Sequence, residues 1–182
     1  KAQLLEQAAE IDGRHAGLLY TIGKCYERLA RFEEAKKWFV RAKDEDICPL
    51  RILEPMHEAI LEVAAKYDLP LVDARALIEK RTQDGIPGEE WLLDHVHPSI
   101  TGHQLIADSL YEAMQDIDLV PRTVGWRQDR EHLWEDHFSG LSNVYFARGA
   151  ERLKRLEQWS HGRIPVPEGV IRTMKEQEAG KQ

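Results

Sequence analysis

Trp91-Leu92-Leu93-Asp94-His95-Val96-His97-Pro98-Ser99-Ile100-Thr101-Gly102-His103-Gln104 decides how this chain is read. It opens on a short apolar run, Trp91 to Leu93, too brief for a helix and sufficient for the end of a buried strand. A polar turn carrying Asp94, His95 and His97 follows, and Pro98 blocks any helix running in from the left. Thr101 and Gln104 have capping-box spacing, which predicts a helix beginning near Gly102. Ile106, Leu110, Ala113 and Met114 supply its apolar stripe. The stretch thus reads as strand, charged turn and helix, a rigid frame for an acid and an imidazole.

The chemistry of such a pair is specific. A histidine acting as base toward a hydroxyl nucleophile needs one ring nitrogen facing it and an acceptor for its other N–H. Asp94 and His97 can meet that need on one turn, the alternative being that Asp94 and His95 only cap or brace it. With Pro98, Gly102 and the helix that follows, the pattern Asp-x-x-His-Pro resembles block V of the SGNH (GDSL-type) hydrolases. The resemblance implies a serine ester hydrolase in which His97 is the catalytic base and Asp94 its orienting acid.

Composition bounds the classes. The 182 residues are 42% hydrophobic and 31% charged, as in an ordinary globular protein of one or two domains. A net charge of −7 argues against a nucleic-acid partner, which requires a basic surface. The two cysteines, Cys25 and Cys48, form no disulfide framework and are expected as reduced, buried thiols. No apolar run approaches a membrane span and no signal-peptide pattern opens the chain. Because it begins at Lys1 rather than Met, the natural N-terminus is expected to lie upstream, so the compartment stays undetermined.

Residues 1–46 read as helical hairpins. Leu19, Ile22, Gly23 and Tyr26, then Ala35, Phe39 and Ala42, follow the spacing of tetratricopeptide (TPR) repeats, and Arg31 to Ala35 resembles that family's turn into its second helix. Gly23 and Ala35 are small where two helices cross, with Tyr26 and Phe39 filling the space between them. Stepping back one period of about 34 residues puts Leu5 and Ala8 on a preceding, partial repeat, with Gly13 in place of its closing proline. One and a half repeats fall short of a stable solenoid, so the chain is expected to be the C-terminal piece of something longer.

Pro49 ends that region. Residues 55–67 predict an amphipathic helix with Met56, Ile60, Val63 and Ala64 inward, and Leu69 to Asp73 predict a short buried strand. A helix from Ala74 to Lys80 leads through Gly85 and Gly88 back to the Trp91 strand. The expected fold is therefore mixed α and α/β. It comprises a TPR hairpin over 1–46, the last strands and helices of a flavodoxin-like SGNH domain over 47–118, and a helical extension over 119–182.

The resemblance also implies parts this chain does not display. Block I of that superfamily supplies the serine, and two further blocks supply a glycine and an asparagine for the oxyanion hole; none is visible here. Ser139 and Ser142 follow block V and lack a Gly-Asp-Ser context. The expectation is a fragment carrying base and acid without the nucleophile. Its substrates would be acyl or acetyl esters, carbohydrate esters among them, with no cofactor, and its repeats would recruit a protein or peptide partner. The competing reading is a TPR interaction module with a non-catalytic α/β segment.

Two further alternatives stay open at this level. His95, His97, His103 and Asp94, with His57 from elsewhere, offer ligand types for zinc, whereas His15, His132, His137 and His161 show no ligand spacing. From Leu141 a helix is predicted with Tyr145, Gly149, Leu153 and Leu156 on one stripe and Arg148, Arg152, Lys154 and Arg155 mostly beside it. Such a helix packs on protein with a solvated basic face, or lies on a membrane surface. Pro165, Pro167 and Gly169 then break structure, and a frayed tail to Gln182 is expected.

Overall fold

The computed structural model describes residues 2–160, whose regular structure consists of eight helices. The chain forms two compact units, Lys1–Arg122 and Thr123–Gln182.

The first unit begins with α1 (Ala2–Ile11), α2 (Ala16–Arg28) and α3 (Phe32–Asp44). Leu19, Ile22 and Ala35 are wholly buried between them, joined by Ala9, Tyr26 and Ala42, with Leu5, Trp38, Phe39 and Ile86 packed at the edge. Burial of each large apolar side chain contributes about 1.5–3 kcal/mol, so this cluster is the main apolar source of order. Gly23 lets α2 and α3 approach, because a Cβ there would lie 2.6 Å from the Phe39 ring. The Tyr26 hydroxyl donates to Glu6 Oε1 at 2.5 Å and ties α2 back to α1.

Three helices of this unit end in the same way. At the end of α2, Ala30 adopts φ 55°, and Arg31 N–H reaches back to the Tyr26 carbonyl at 3.0 Å. Asp68 at φ 51° closes α4 (Glu54–Lys66), with Leu69 N–H on the Ala64 carbonyl at 2.9 Å. Asp118 at φ 54° closes α6 (Ile100–Asp116), with Leu119 N–H on Met114 at 2.9 Å. Each is a Schellman closure, which satisfies carbonyls the helix would otherwise leave unpaired.

These closures explain where the expected α/β architecture fails. No strand occurs among the described residues; the backbone forms an isolated antiparallel bridge between Leu92 and Pro98. In the expected strand Leu69 to Asp73, Leu69 N–H closes α4. Pro70 has no N–H, and Asp73 caps α5 (Ala74–Arg81) through a bond from Ala76 N–H at 3.0 Å. Only Leu71 and Val72 are left, too few for a ladder. At the second expected strand, Trp91 and Leu92 N–H both turn back to the Gly88 carbonyl at 3.0 Å. Among the described residues the flavodoxin-like sheet is therefore absent, and the regular structure of the unit is all helical.

Without a sheet, the expected inward face of α4 is uncovered. Met56, Ile60 and Val63 are exposed at 57%, 46% and 49%, and Ala64 alone of that stripe is buried. Ion pairs link α3, α4 and α5. Lys36 pairs with Glu79 at 2.7 Å, and Arg75 holds Glu79 at 2.9 Å and Glu54 at 2.8 Å. Lys43 reaches the same Glu54 at 2.9 Å. Burial alone would raise the Glu54 carboxyl, but bonds from Arg75 and Lys43 outweigh it and hold it at about 2. Sequence reasoning missed this network: Arg75 and Glu79 have visible i,i+4 spacing, but the pairs reaching α3 and α4 span many residues.

The second unit carries α7 (Trp126–Ser139) and α8 (Asn143–Ser160). α8 starts two residues beyond the predicted Leu141, while α7 had no clear periodic signal. Arg130 lies over the rings of Trp126 and Trp134, 5.5 and 4.3 Å from their centroids. On α8, Leu153 and Leu156 are half-buried and Tyr145 is exposed, so the predicted stripe is covered only in part. No helix of the described residues is long and apolar enough to cross a membrane. His161 and the breaks at Pro165, Pro167 and Gly169 lie outside the described residues.

Candidate active site

The decisive stretch folds back on itself instead of entering a sheet. Leu93 N–H donates to the His97 carbonyl and Ser99 N–H to the Trp91 carbonyl, each at 2.8 Å. These two bonds close a tight loop whose interior residues are Asp94, His95 and Val96. Asp94 organises it: Oδ1 accepts Val96 N–H at 2.8 Å and His97 N–H at 2.7 Å. This is the Asx turn expected of an aspartate opening a polar turn.

The other carboxylate oxygen takes the imidazole. His97 Nδ1 lies 2.7 Å from Asp94 Oδ2. Burial would raise the Asp94 carboxyl, but the backbone N–H groups of His97 and Val96 and the His97 ring overcome this and hold it at about 2. At neutral pH the carboxylate is ionised and only accepts, so Nδ1 carries the proton. The pair is also graded in exposure: the Asp94 side chain is 10% accessible and that of His97 69%. The ring is thus anchored at its Nδ1 edge, and Nε2 takes no hydrogen bond among the described residues. An imidazole held at Nδ1 with Nε2 exposed has the arrangement that a general base uses.

The helix behind the loop starts earlier than predicted. The N-cap of α6 is Ser99, whose hydroxyl accepts Gly102 N–H at 3.1 Å, rather than Thr101 in a capping box with Gln104. Pro98, just before Ser99, is the local sequence signal that could have marked that boundary. Gly102 is required by contact, since a Cβ there would stand 2.7 Å from the Trp91 carbonyl oxygen and 3.0 Å from Pro98 Cβ. Within the α6 stripe Leu110 is exposed.

The remaining candidates disperse. His103 Nδ1 lies 3.0 Å from the Ser99 carbonyl. His57 Nε2 lies 3.3 Å from Asp73 Oδ1, and its Nδ1 lies 3.5 Å from Arg75 Nη1. Among the described residues no three His, Cys, Asp or Glu side chains are gathered to hold a metal ion. Cys25 is half-buried and Cys48 is exposed, against the expectation that both are buried; both are free thiols.

No serine of the first unit is poised as a nucleophile. Ser99 donates its hydroxyl to the Glu90 carbonyl at 2.7 Å and Ser109 to the Leu105 carbonyl at 2.9 Å. In the second unit, Ser139 donates to the Asp136 carbonyl at 2.9 Å, and Ser142 accepts Tyr145 N–H at 3.3 Å. Compared with protein-family models, curated proteins and solved structures, the chain finds no match in any of the three.

Proposed function

We propose that this chain supplies the acid–base pair of a serine-type ester hydrolase of the SGNH (GDSL) kind, acting on acyl or acetyl esters. The observation that carries the reading is the bond from His97 Nδ1 to Asp94 Oδ2, 2.7 Å long, with the rest of the ring turned to solvent. The match of Asp94, His97, Pro98 and Gly102 to block V supports it; the helical architecture does not contribute. In the reaction, His97 Nε2 takes the proton of a serine hydroxyl as that oxygen attacks the ester carbonyl. The imidazolium, stabilised by Asp94, then returns the proton to the departing alkoxide, leaving an acyl-serine. Water, deprotonated by the same nitrogen, releases the acid. The serine is taken to come from elsewhere in the full polypeptide, since Ser99, Ser109 and Ser139 donate their hydroxyls to backbone carbonyls and Ser142 has no Gly-Asp-Ser context.

The test is ester turnover by the protein encoded by the whole open reading frame. Asp94→Asn places an amide N–H where Nδ1–H needs an acceptor, a change that costs about 10⁴ in kcat in a serine protease. A large loss is expected here, a larger one for His97→Ala, little for His95→Ala, and none on chelation. Residues 1–182 alone should show only the background rate on p-nitrophenyl esters. Near-normal rates for both Asp94→Asn and His97→Ala would sink the assignment, and loss on chelation restored by zinc would replace it with a metal site.

The packed hairpin of α2 and α3 favours a second reading, an interaction module of TPR type that recruits a peptide or protein. A Gly-Asp-Ser block upstream of Lys1 in the same polypeptide favours the hydrolase; its absence from the full-length chain favours the module.

A further inference from the structure

Ser99 makes more bonds than an N-cap requires. Its hydroxyl accepts Gly102 N–H at 3.1 Å and donates to the Glu90 carbonyl at 2.7 Å. Its own N–H closes the loop on Trp91 at 2.8 Å. Its carbonyl receives His103 N–H at 2.9 Å and lies 3.0 Å from His103 Nδ1. The residue is buried, so water does not replace these partners readily. Glu90 precedes the loop and Gly102 follows it, so one hydroxyl bridges the two ends of the segment carrying Asp94 and His97.

The geometry points to Ser99 as the positioning residue of the Asp94–His97 pair, a proposal that rests on the hydrolase reading above. His97 is two residues from Ser99 and joined to it through Pro98, whose fixed φ transmits the placement of Ser99 directly to the His97 backbone. The Asx turn sets the Asp94 end of the pair from within the loop, while the Ser99 bridge sets the His97 end from outside it. Ser99 is not the nucleophile, because its hydroxyl already donates to the Glu90 carbonyl. Its role is to hold the loop neck so that Nδ1–H stays on Asp94 Oδ2.

Proton exchange of the His97 Nδ1–H, followed by imidazole NMR on residues 1–182, tests this without any turnover. Each lost bond to a buried partner corresponds to about a fivefold rise in local opening, so Ser99→Ala should exchange roughly fivefold to thirtyfold faster than wild type. Ser99→Gly should do the same while keeping α6, because glycine is a tolerated N-cap. Ser99→Thr, which retains the hydroxyl, should restore slow exchange. Wild-type exchange in both the alanine and glycine variants overturns the positioning role, as does loss of helicity in both, which reduces Ser99 to a cap. Asp94→Asn separates the two readings: it should abolish the protected Nδ1–H, and survival of that signal removes the pair itself.

Discussion

Gly23→Ala puts the packing of the first unit to a test of sign. In an exposed helix interior the change stabilises by about 1 kcal/mol, because alanine loses less backbone entropy than glycine. Here the new Cβ would meet Phe39 Cδ1 and Cε1 at 2.6 Å and Cγ at 3.2 Å. Carbon atoms sit comfortably at about 3.5–4.0 Å, so the ring must retreat by roughly 1 Å. It has little room, lying against the buried cluster with its centroid 5.4 Å from that of Tyr20. Overpacking of this kind costs about 1–3 kcal/mol, which matches or exceeds the helical gain. Truncating the ring removes the obstacle, so Gly23→Ala made in a Phe39→Ala background should stabilise by about 1 kcal/mol. Urea unfolding of the four proteins, followed by circular dichroism, gives the coupling between the sites, expected at about 1–3 kcal/mol. Equal stabilisation by alanine in both backgrounds would refute the close approach of α2 and α3 at Gly23.

Other perturbations follow from the same geometry. Ala35, fully buried, should not accept a larger ring: Ala35→Trp should lower the melting midpoint, costing at least about 1–3 kcal/mol. Ala30 holds φ 55°, where glycine is at ease, so Ala30→Gly should stabilise by up to about 1 kcal/mol in the same melt. Asp94, held at about 2 against an ordinary 3.8, contributes stability that is present above pH 4 and lost as pH falls through 2. Allowing for solvent screening, Asp94→Asn should cost about 1–2 kcal/mol at neutral pH and flatten the acid limb of the stability curve. Glu54 titrates in the same window, so the difference between wild type and variant isolates the site.

How legible this was in the sequence varied with the range of the interactions involved. Leu19, Ile22, Tyr26, Ala35 and Ala42 could be named because they repeat at helical spacing and meet across one short turn, and they are buried together. The Asp94–His97 bond could be named because both partners lie on one loop. The strands could not be judged in the same way. An apolar run such as Leu69 to Val72 becomes a strand only if other backbone groups pair with it, and here Leu69 and Asp73 serve as helix closure and helix cap. The inward face assigned to Met56, Ile60 and Val63 fell with the sheet it was meant to cover. Thr101 and Gln104 carried a good capping-box pattern, and Ser99 outcompeted it because its hydroxyl satisfies Glu90 as well as Gly102. The joint of Lys36, Lys43, Glu54, Arg75 and Glu79 left no local pattern that would have assembled it.

Reaction with a fluorescent phosphonate tests most directly whether His97 serves as base to a serine. In the protein encoded by the whole open reading frame, one serine should be labelled, and its labelling rate should depend on His97. A general base contributes about 10²–10⁴-fold, so His97→Ala should slow labelling by at least about a hundredfold with the fold intact. Equal labelling rates in wild type and His97→Ala, or no labelled serine in a folded protein, would contradict the account.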